Sequence, residues 1–369
     1  MVLALFVYIV LFVCMFLFSM AVVRKRNILY QRDKYWSFLI YVPMVLFSLV
    51  LGLRYNVGED YLSYMQSYQE QFRYGEFLAD SEYLFVKLNE LLYHFDLHYC
   101  FLFICVLFIQ MYFFYKTFEE KTFLLPYAVV SFFITGILFE NINLLRQGIS
   151  AMILLYAIRY IYSKKFIKYF VFVFVASLFH VVSWLFLPFY LMRYFKFKIL
   201  DNVFFQLFLF FATLFGGDHV YDYLYSFYAL MLKSILNVDE NWIEIRQITL
   251  GTGMGVLLKR FSSVLLIFLS DKVSGKFGEY YKIYYRIFFC GLLMTNMAKL
   301  DMFIHRISSF LSICSIVVIA YLIYYYLNFK VDNVRVILFV VMISIYVLLF
   351  FSRIYTGASL CSPFQFVDL

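Results

Sequence analysis

Residues 2–23 read VLALFVYIVLFVCMFLFSMAVV, a run with no charged side chain, and Arg24, Lys25 and Arg26 follow at once. Wound as an α-helix at 1.5 Å per residue, such a run is about 33 Å long, enough to cross the roughly 30 Å hydrocarbon layer of a bilayer. No cation precedes it and no small-residue cleavage site follows, so it reads as a retained helix rather than a signal peptide. The run at 334–351, charged only at Arg335 near its start, is of the same kind.

Composition extends this reading to the whole chain. Of 369 residues, 65% are hydrophobic and only 15% charged. A soluble domain carries about a quarter charged residues, so a water-facing surface cannot be built from this stock. The expected fold is all-α: a polytopic membrane helical bundle forming one integral membrane domain over residues 1–369. The net charge of +8 sits in short clusters between apolar runs. That is the pattern of cytoplasmic loops under the positive-inside rule, not of a nucleic-acid surface. The six cysteines are scattered without metal-site spacing, and we read them as packing residues. There is no internal repeat and no low-complexity linker.

Apolar runs predict spans at 2–23, 36–53, 98–116, 123–140, 147–162, 166–179, 181–195, 199–216, 254–271, 282–299, 304–327 and 334–352, about 11–12 transmembrane helices. Arg24 to Lys34, Lys116 with Lys121, Lys164 to Lys168, Lys272 with Lys276, and Lys330 with Arg335 mark the cytoplasmic loops. Both termini then face outward. The stretch 166–195 is too long for one span and short for two, with basic residues at both ends. It predicts a tight or re-entrant hairpin with His180 near its outer tip. Two longer periplasmic loops remain, an acidic one at 54–97 and a second at 216–253 whose tyrosine-rich start is interfacial.

Four groups of residues on the expected outer face carry candidate chemistry. LRYNVGEDYLSY (53–64) has Gly58 for a tight turn, Asp60 to cap a helix, and Tyr61, Tyr64 and Tyr68 on one face of it. Arg54 could fork onto a phosphate, or simply snorkel at a helix exit. NINLLRQGISAMILLYAI (141–158) puts Arg146 and Gln147 at an outer helix N-terminus, where dipole and guanidinium both favour an anion. SLFHVVSWLFLPFYL (177–191) holds His180 in an apolar hairpin, costly unless it works as a proton carrier or bonds a neighbouring helix. Lys259, Arg260, Lys299, Asp301, His305 and Arg306 suit a cationic ring around a pocket, although Asp301 could merely pair with Lys299 or His305. No Walker loop, zinc cluster or nucleophile elbow is present.

In this order and spacing the three strings resemble the EpsG-type group of Wzy-like bacterial polysaccharide polymerases, over roughly residues 50–195. The resemblance implies a GT-C-like glycosyltransferase of the bacterial inner membrane. Its substrate would be an oligosaccharide repeat unit on undecaprenyl diphosphate, as in O-antigen or capsule synthesis, with membrane lipids and a chain-length regulator as further partners. It implies no cofactor and no metal, since arginines can stabilise a leaving diphosphate. Within that mechanism Arg146 and Arg54 would meet the diphosphate, and His180 or Asp60 would be the base. Tyr61, Tyr64 and Gln147 would line the sugar site, with Arg306 also binding substrate. An O-antigen ligase on the same donor, or a flippase for the same lipid, are the alternatives.

Overall fold

The computed structural model describes residues 1–29, 35–74, 82–194, 199–231, 253–297 and 302–367. Lys299 and Asp301 of the expected cationic ring lie outside that set. The described chain is almost wholly helical, with one two-residue strand pair.

In chain order, α1 (Val2–Leu29) and α2 (Phe38–Gly52) are followed by β1 (Arg54–Tyr55), α3 (Tyr61–Tyr74) and α4 (Tyr83–His94). The loop expected at 54–97 is therefore largely two amphipathic helices. Next come α5 (Cys100–Thr117), α6 (Leu125–Ile134), α7 (Ile137–Asn143), α8 (Leu145–Ala157), α9 (Arg159–Tyr162) and α10 (Phe166–Ser177). A 3-10 helix (Val181–Arg193) precedes α11 (Val203–Met231), so the second expected loop begins as a continuation of a helix. The chain closes with α12 (Met254–Met297), α13 (Met302–Ser312), α14 (Ser315–Asn328), α15 (Asn333–Thr356) and β2 (Gln365–Phe366). A sharp bend at Gly278 divides α12, and Tyr281 Oη on its far side reaches back to Ser270 Oγ at 2.9 Å. The expected spans 254–271 and, as far as Met297, 282–299 fall on the two arms of that reversal.

Among the described residues four helices are long and apolar enough to cross a membrane, or five if the bent pair α6–α7 counts as one. The chain is thus a multi-pass membrane protein, and among the described residues some apolar runs, such as 36–53 and 166–179, form helices that fall outside that set. The reason is length. A 15-residue helix such as α2 is only about 22 Å long, short of the hydrocarbon thickness.

The hairpin expected at 166–195 is present. Phe166 packs on Tyr190 with ring centroids 5.0 Å apart, and Phe174 on Trp184 at 6.2 Å, so α10 and the 3-10 helix run antiparallel. Tyr169 Oη ties the arms by donating to the Phe186 carbonyl at 2.5 Å. His180 sits at the turn with extended backbone (φ −158°, ψ 118°).

Helix association in lipid draws on close packing rather than on water release. Gly52 lets α2 press on α5, since a Cβ there would stand 2.3 Å from Ile104 Cγ1. Phe47, Phe114 and Phe132 interlock at centroid distances of 5.3–6.0 Å, each pair contributing about 1 kcal/mol beyond area burial. The axis of α6 and α7 breaks by 69°. Gly136 supplies the left-handed residue at the break (φ +83°), and Arg353 from α15 donates to its carbonyl at 3.3 Å.

The two ends of the bundle differ in charge chemistry. At one end gather the basic loops: Arg26 Nη1 on the Glu119 carbonyl (2.6 Å), Lys116 on Glu119 (3.0 Å), Arg159 on Glu120, and Lys121 over the Tyr280 ring. At the other end lie the exit of α2, the start of α8, the tip of the 166–193 hairpin and the start of α13.

Candidate functional site

The α7–α8 corner organises the second end. Helix α7 stops at Asn143, Leu144 adopts a non-helical ψ of 75°, and α8 begins at once. The break exposes carbonyls, and Gln110 from α5, wholly buried, places its Nε2 3.2 Å from the Asn141 carbonyl and 3.4 Å from that of Leu145. Gly148 makes room for this, because a Cβ there would lie 2.5 Å from Gln110 Nε2.

The 53–64 loop docks onto that corner. Arg54 is completely buried and donates from Nε to Val57 O (3.0 Å), from Nη1 to Leu51 O (2.5 Å) and from Nη2 to Ile142 O (2.5 Å). Its guanidinium lies over the Phe103 ring at 4.8 Å, and burial pulls its pKa down to about 10. A guanidinium placed in this way is a strut of the loop, not a surface for a diphosphate. Tyr61 is likewise core, 1% exposed and stacked on Phe103 at 4.8 Å, so it does not line a sugar site. The start of α3 is capped from elsewhere than expected: Asn143 Oδ1 accepts the Asp60 N–H at 2.8 Å. Gly58, at φ +108°, faces the same Asn143.

The remaining candidates converge. Arg146, at the first turn of α8, forms an ion pair with Glu82 Oε2 and carries the Tyr64 and Phe85 rings against its guanidinium, each at 5.7 Å. The other oxygen of the same carboxylate, Oε1, lies 2.6 Å from His180 Nδ1. The Glu82 side chain is 8% exposed, so a buried carboxylate bridges the arginine and the histidine. Phe310 of α13 stacks on the imidazole, with centroids 5.6 Å apart and planes within 5°. His180 Nε2 is shut off from solvent and has no hydrogen-bond partner; the same is true of Ser183 Oγ one turn on. The Leu84 N–H donates to the Leu178 carbonyl at 2.9 Å, fixing the start of α4 to the hairpin tip.

Asp60 is half-buried beside this cluster. Partial burial raises its carboxyl pKa, opposed by the charges of Arg306 and Arg146. Gln147 is buried, donates to the Arg306 carbonyl at 3.3 Å, and with Glu140, Asn141, Gly148 and Ser309 lines a recess beneath the corner. Ser309 Oγ donates to Glu140 Oε2 at 2.8 Å. Of the sequence-derived residues, Arg146, His180, Asp60, Tyr64, Gln147 and Arg306 therefore share one region. Arg54 and Tyr61 form the layer beneath.

Sequence reasoning missed Glu82. It is one of many acids between 59 and 96, and nothing in its spacing separates it from its neighbours. It also missed the C-terminal tail. There β2 pairs antiparallel with β1, Arg54 opposite Phe366 and Tyr55 opposite Gln365. The Gly58 N–H donates to Leu360 O at 3.0 Å, and Tyr8 Oη to Cys361 O at 3.0 Å. The tail thus straps the 53–64 loop to α1.

A family model, the EpsG family, matches residues 35–366. No curated protein and no solved structure matches the chain. With nearly the whole chain covered, the protein belongs to the EpsG family, a family of polysaccharide polymerases.

Proposed function

Taking EpsG family membership as the premise, we propose that the protein joins oligosaccharide repeat units carried on undecaprenyl diphosphate at the periplasmic face of the bacterial inner membrane. The reducing-end sugar of the growing glycan leaves its lipid diphosphate and is taken by a hydroxyl on the incoming unit. What supports this reading is the convergence of Arg146, Glu82 and His180 at the bundle end opposite the basic loops. Under the positive-inside rule that end is the outer one.

The chemistry asks for cations at a leaving diphosphate, a base for the acceptor proton and walls that hold sugars. Arg146 has Nη1 on Glu82 while 39% of its side chain stays exposed, leaving donors to meet an anion. Lys259 and Arg306, which flank His305, add positive charge on the same side. Tyr64 and Gln147 offer an aromatic face and an amide for a sugar. Charge growing on the leaving group in a partly water-excluded site is stabilised by such fixed donors without a metal.

Protein reconstituted in nanodiscs with prenyl-diphosphate-linked repeat units should give a glycan ladder and release free prenyl diphosphate, equally in EDTA and in magnesium. Loss of activity in EDTA, restored by a divalent cation, would remove the arginine roles. One observation favours a second reading, a flippase for the same lipid: broken spans such as α6–α7 are a feature of membrane transporters. Movement of labelled donor across vesicles without new glycosidic bonds would select it.

A further inference from the structure

We infer that His180 is the base that accepts the acceptor hydroxyl's proton at Nε2, with Glu82 holding its tautomer and Arg146 holding Glu82. This rests on the polymerase reading and assigns the roles within its site.

The geometry fixes the tautomer. A carboxylate oxygen 2.6 Å from Nδ1 is an acceptor, so in the neutral ring Nδ1 carries the proton and the Nε2 lone pair is left for another partner. Phe310, parallel to the ring, keeps the imidazole from turning that lone pair away. The second oxygen of Glu82 is committed to Arg146, which keeps the carboxylate oriented. Two polar atoms on one turn, His180 Nε2 and Ser183 Oγ, are buried without partners. A sugar hydroxyl can donate to such an imidazole nitrogen.

The step balances as follows. The acceptor hydroxyl oxygen bonds to the anomeric carbon of the donor sugar. The bond from that carbon to the diphosphate oxygen breaks, and its electron pair leaves with the lipid diphosphate. The hydroxyl proton passes to His180 Nε2, and the Glu82 carboxylate offsets the new imidazolium charge. Among the described residues the Asp60 carboxylate has the charges of Arg306 and Arg146 nearby but no hydrogen-bonded partner like the Glu82–His180 contact. Because Nε2 is closed to solvent, water has little access to the base, which favours transfer to sugar over transfer to water.

The test is steady-state polymerisation by the full-length protein in nanodiscs, with imidazole as a chemical probe. His180→Ala should lower kcat by about 10²–10⁴-fold with donor KM within about threefold of wild type. Added imidazole should restore a measurable part of that rate. Glu82→Gln should lower kcat at least tenfold, and imidazole should leave it unchanged because the His180 ring still occupies the site. If His180→Ala is not monodisperse on size exclusion, His180→Gly takes its place in the rescue. A wild-type-like kcat in the histidine variant overturns the assignment. So does a loss seen mainly in KM, or a folded histidine variant that imidazole cannot rescue. Wild-type protein that forms no polymer from this donor would instead sink the polymerase reading itself.

Discussion

His180 Nδ1 lies 2.6 Å from Glu82 Oε1 although the two residues are 98 positions apart, and the other oxygen of that carboxylate holds Arg146. A loop helix, a core helix and the 166–193 hairpin are therefore locked to one buried carboxylate. Any change at one member is felt by the other two.

Arg146→Ala should cut polymerisation a few hundred-fold, the usual loss when a charge-stabilising donor is removed. It also leaves Glu82 buried without its cation. With Arg146 itself part-exposed, we expect about 2 kcal/mol of lost stability. The double variant Arg146→Ala/Glu82→Gln should recover most of the melting temperature and none of the activity. Arg146→Lys should be partly active and Cys105→Ser close to wild type. Normal-length polymer from Arg146→Ala would reduce Arg146 to an anchor.

Arg54→Ala should act through stability. Three backbone carbonyls lose their donor, at a cost on the order of 4 kcal/mol. The thermal melting point in detergent should fall sharply, and Arg54→Lys should recover little of it. An unchanged melting point with a raised donor KM would return Arg54 to the diphosphate.

Phe364→Ala tests the tail. The ring is 3% exposed and meets Tyr8 edge-on at 5.9 Å, so truncation should cost about 3 kcal/mol. We expect faster proteolysis near residues 53–60 in limited digests. Equal protection in mutant and wild type would mean the strap does not hold the loop.

Asp60 gives a pH signature. Its carboxyl pKa is raised by burial, so the folded state favours the protonated form, and this contribution is present at low pH and lost as pH rises through the raised value. Asp60→Asn should therefore melt higher than wild type at pH 7.5 and level with it near pH 3.5. The reverse order at pH 7.5 would show that Arg146 and Arg306 outweigh the burial.

Reporter fusions at residues 28, 70, 230 and 275 should read inside, outside, outside and inside. A cytoplasmic signal at 70 or 230 would place the Arg146–Glu82–His180 cluster on the wrong side for a periplasmic donor.

The apolar runs and the cation clusters between them are local properties of the chain, and they alone determined a helical, multi-pass membrane protein. They also located Arg146 and His180, because an ionisable residue in an apolar setting stands out against its neighbours. The hairpin around His180 was legible for the same reason, through basic residues at both ends. Packing between distant segments decided the rest. Whether Arg54 faces a ligand or three carbonyls depends on where the Ile142 carbonyl arrives, 88 residues later. The tail strand has no apolar run to announce it, and its pairing with Arg54 and Tyr55 exists only once α1 and α15 have both packed against α6 and α7. Glu82 resembles every other acid of its segment until α4, α8 and the hairpin close around it, and burial is what makes that one carboxylate bind both an arginine and a histidine.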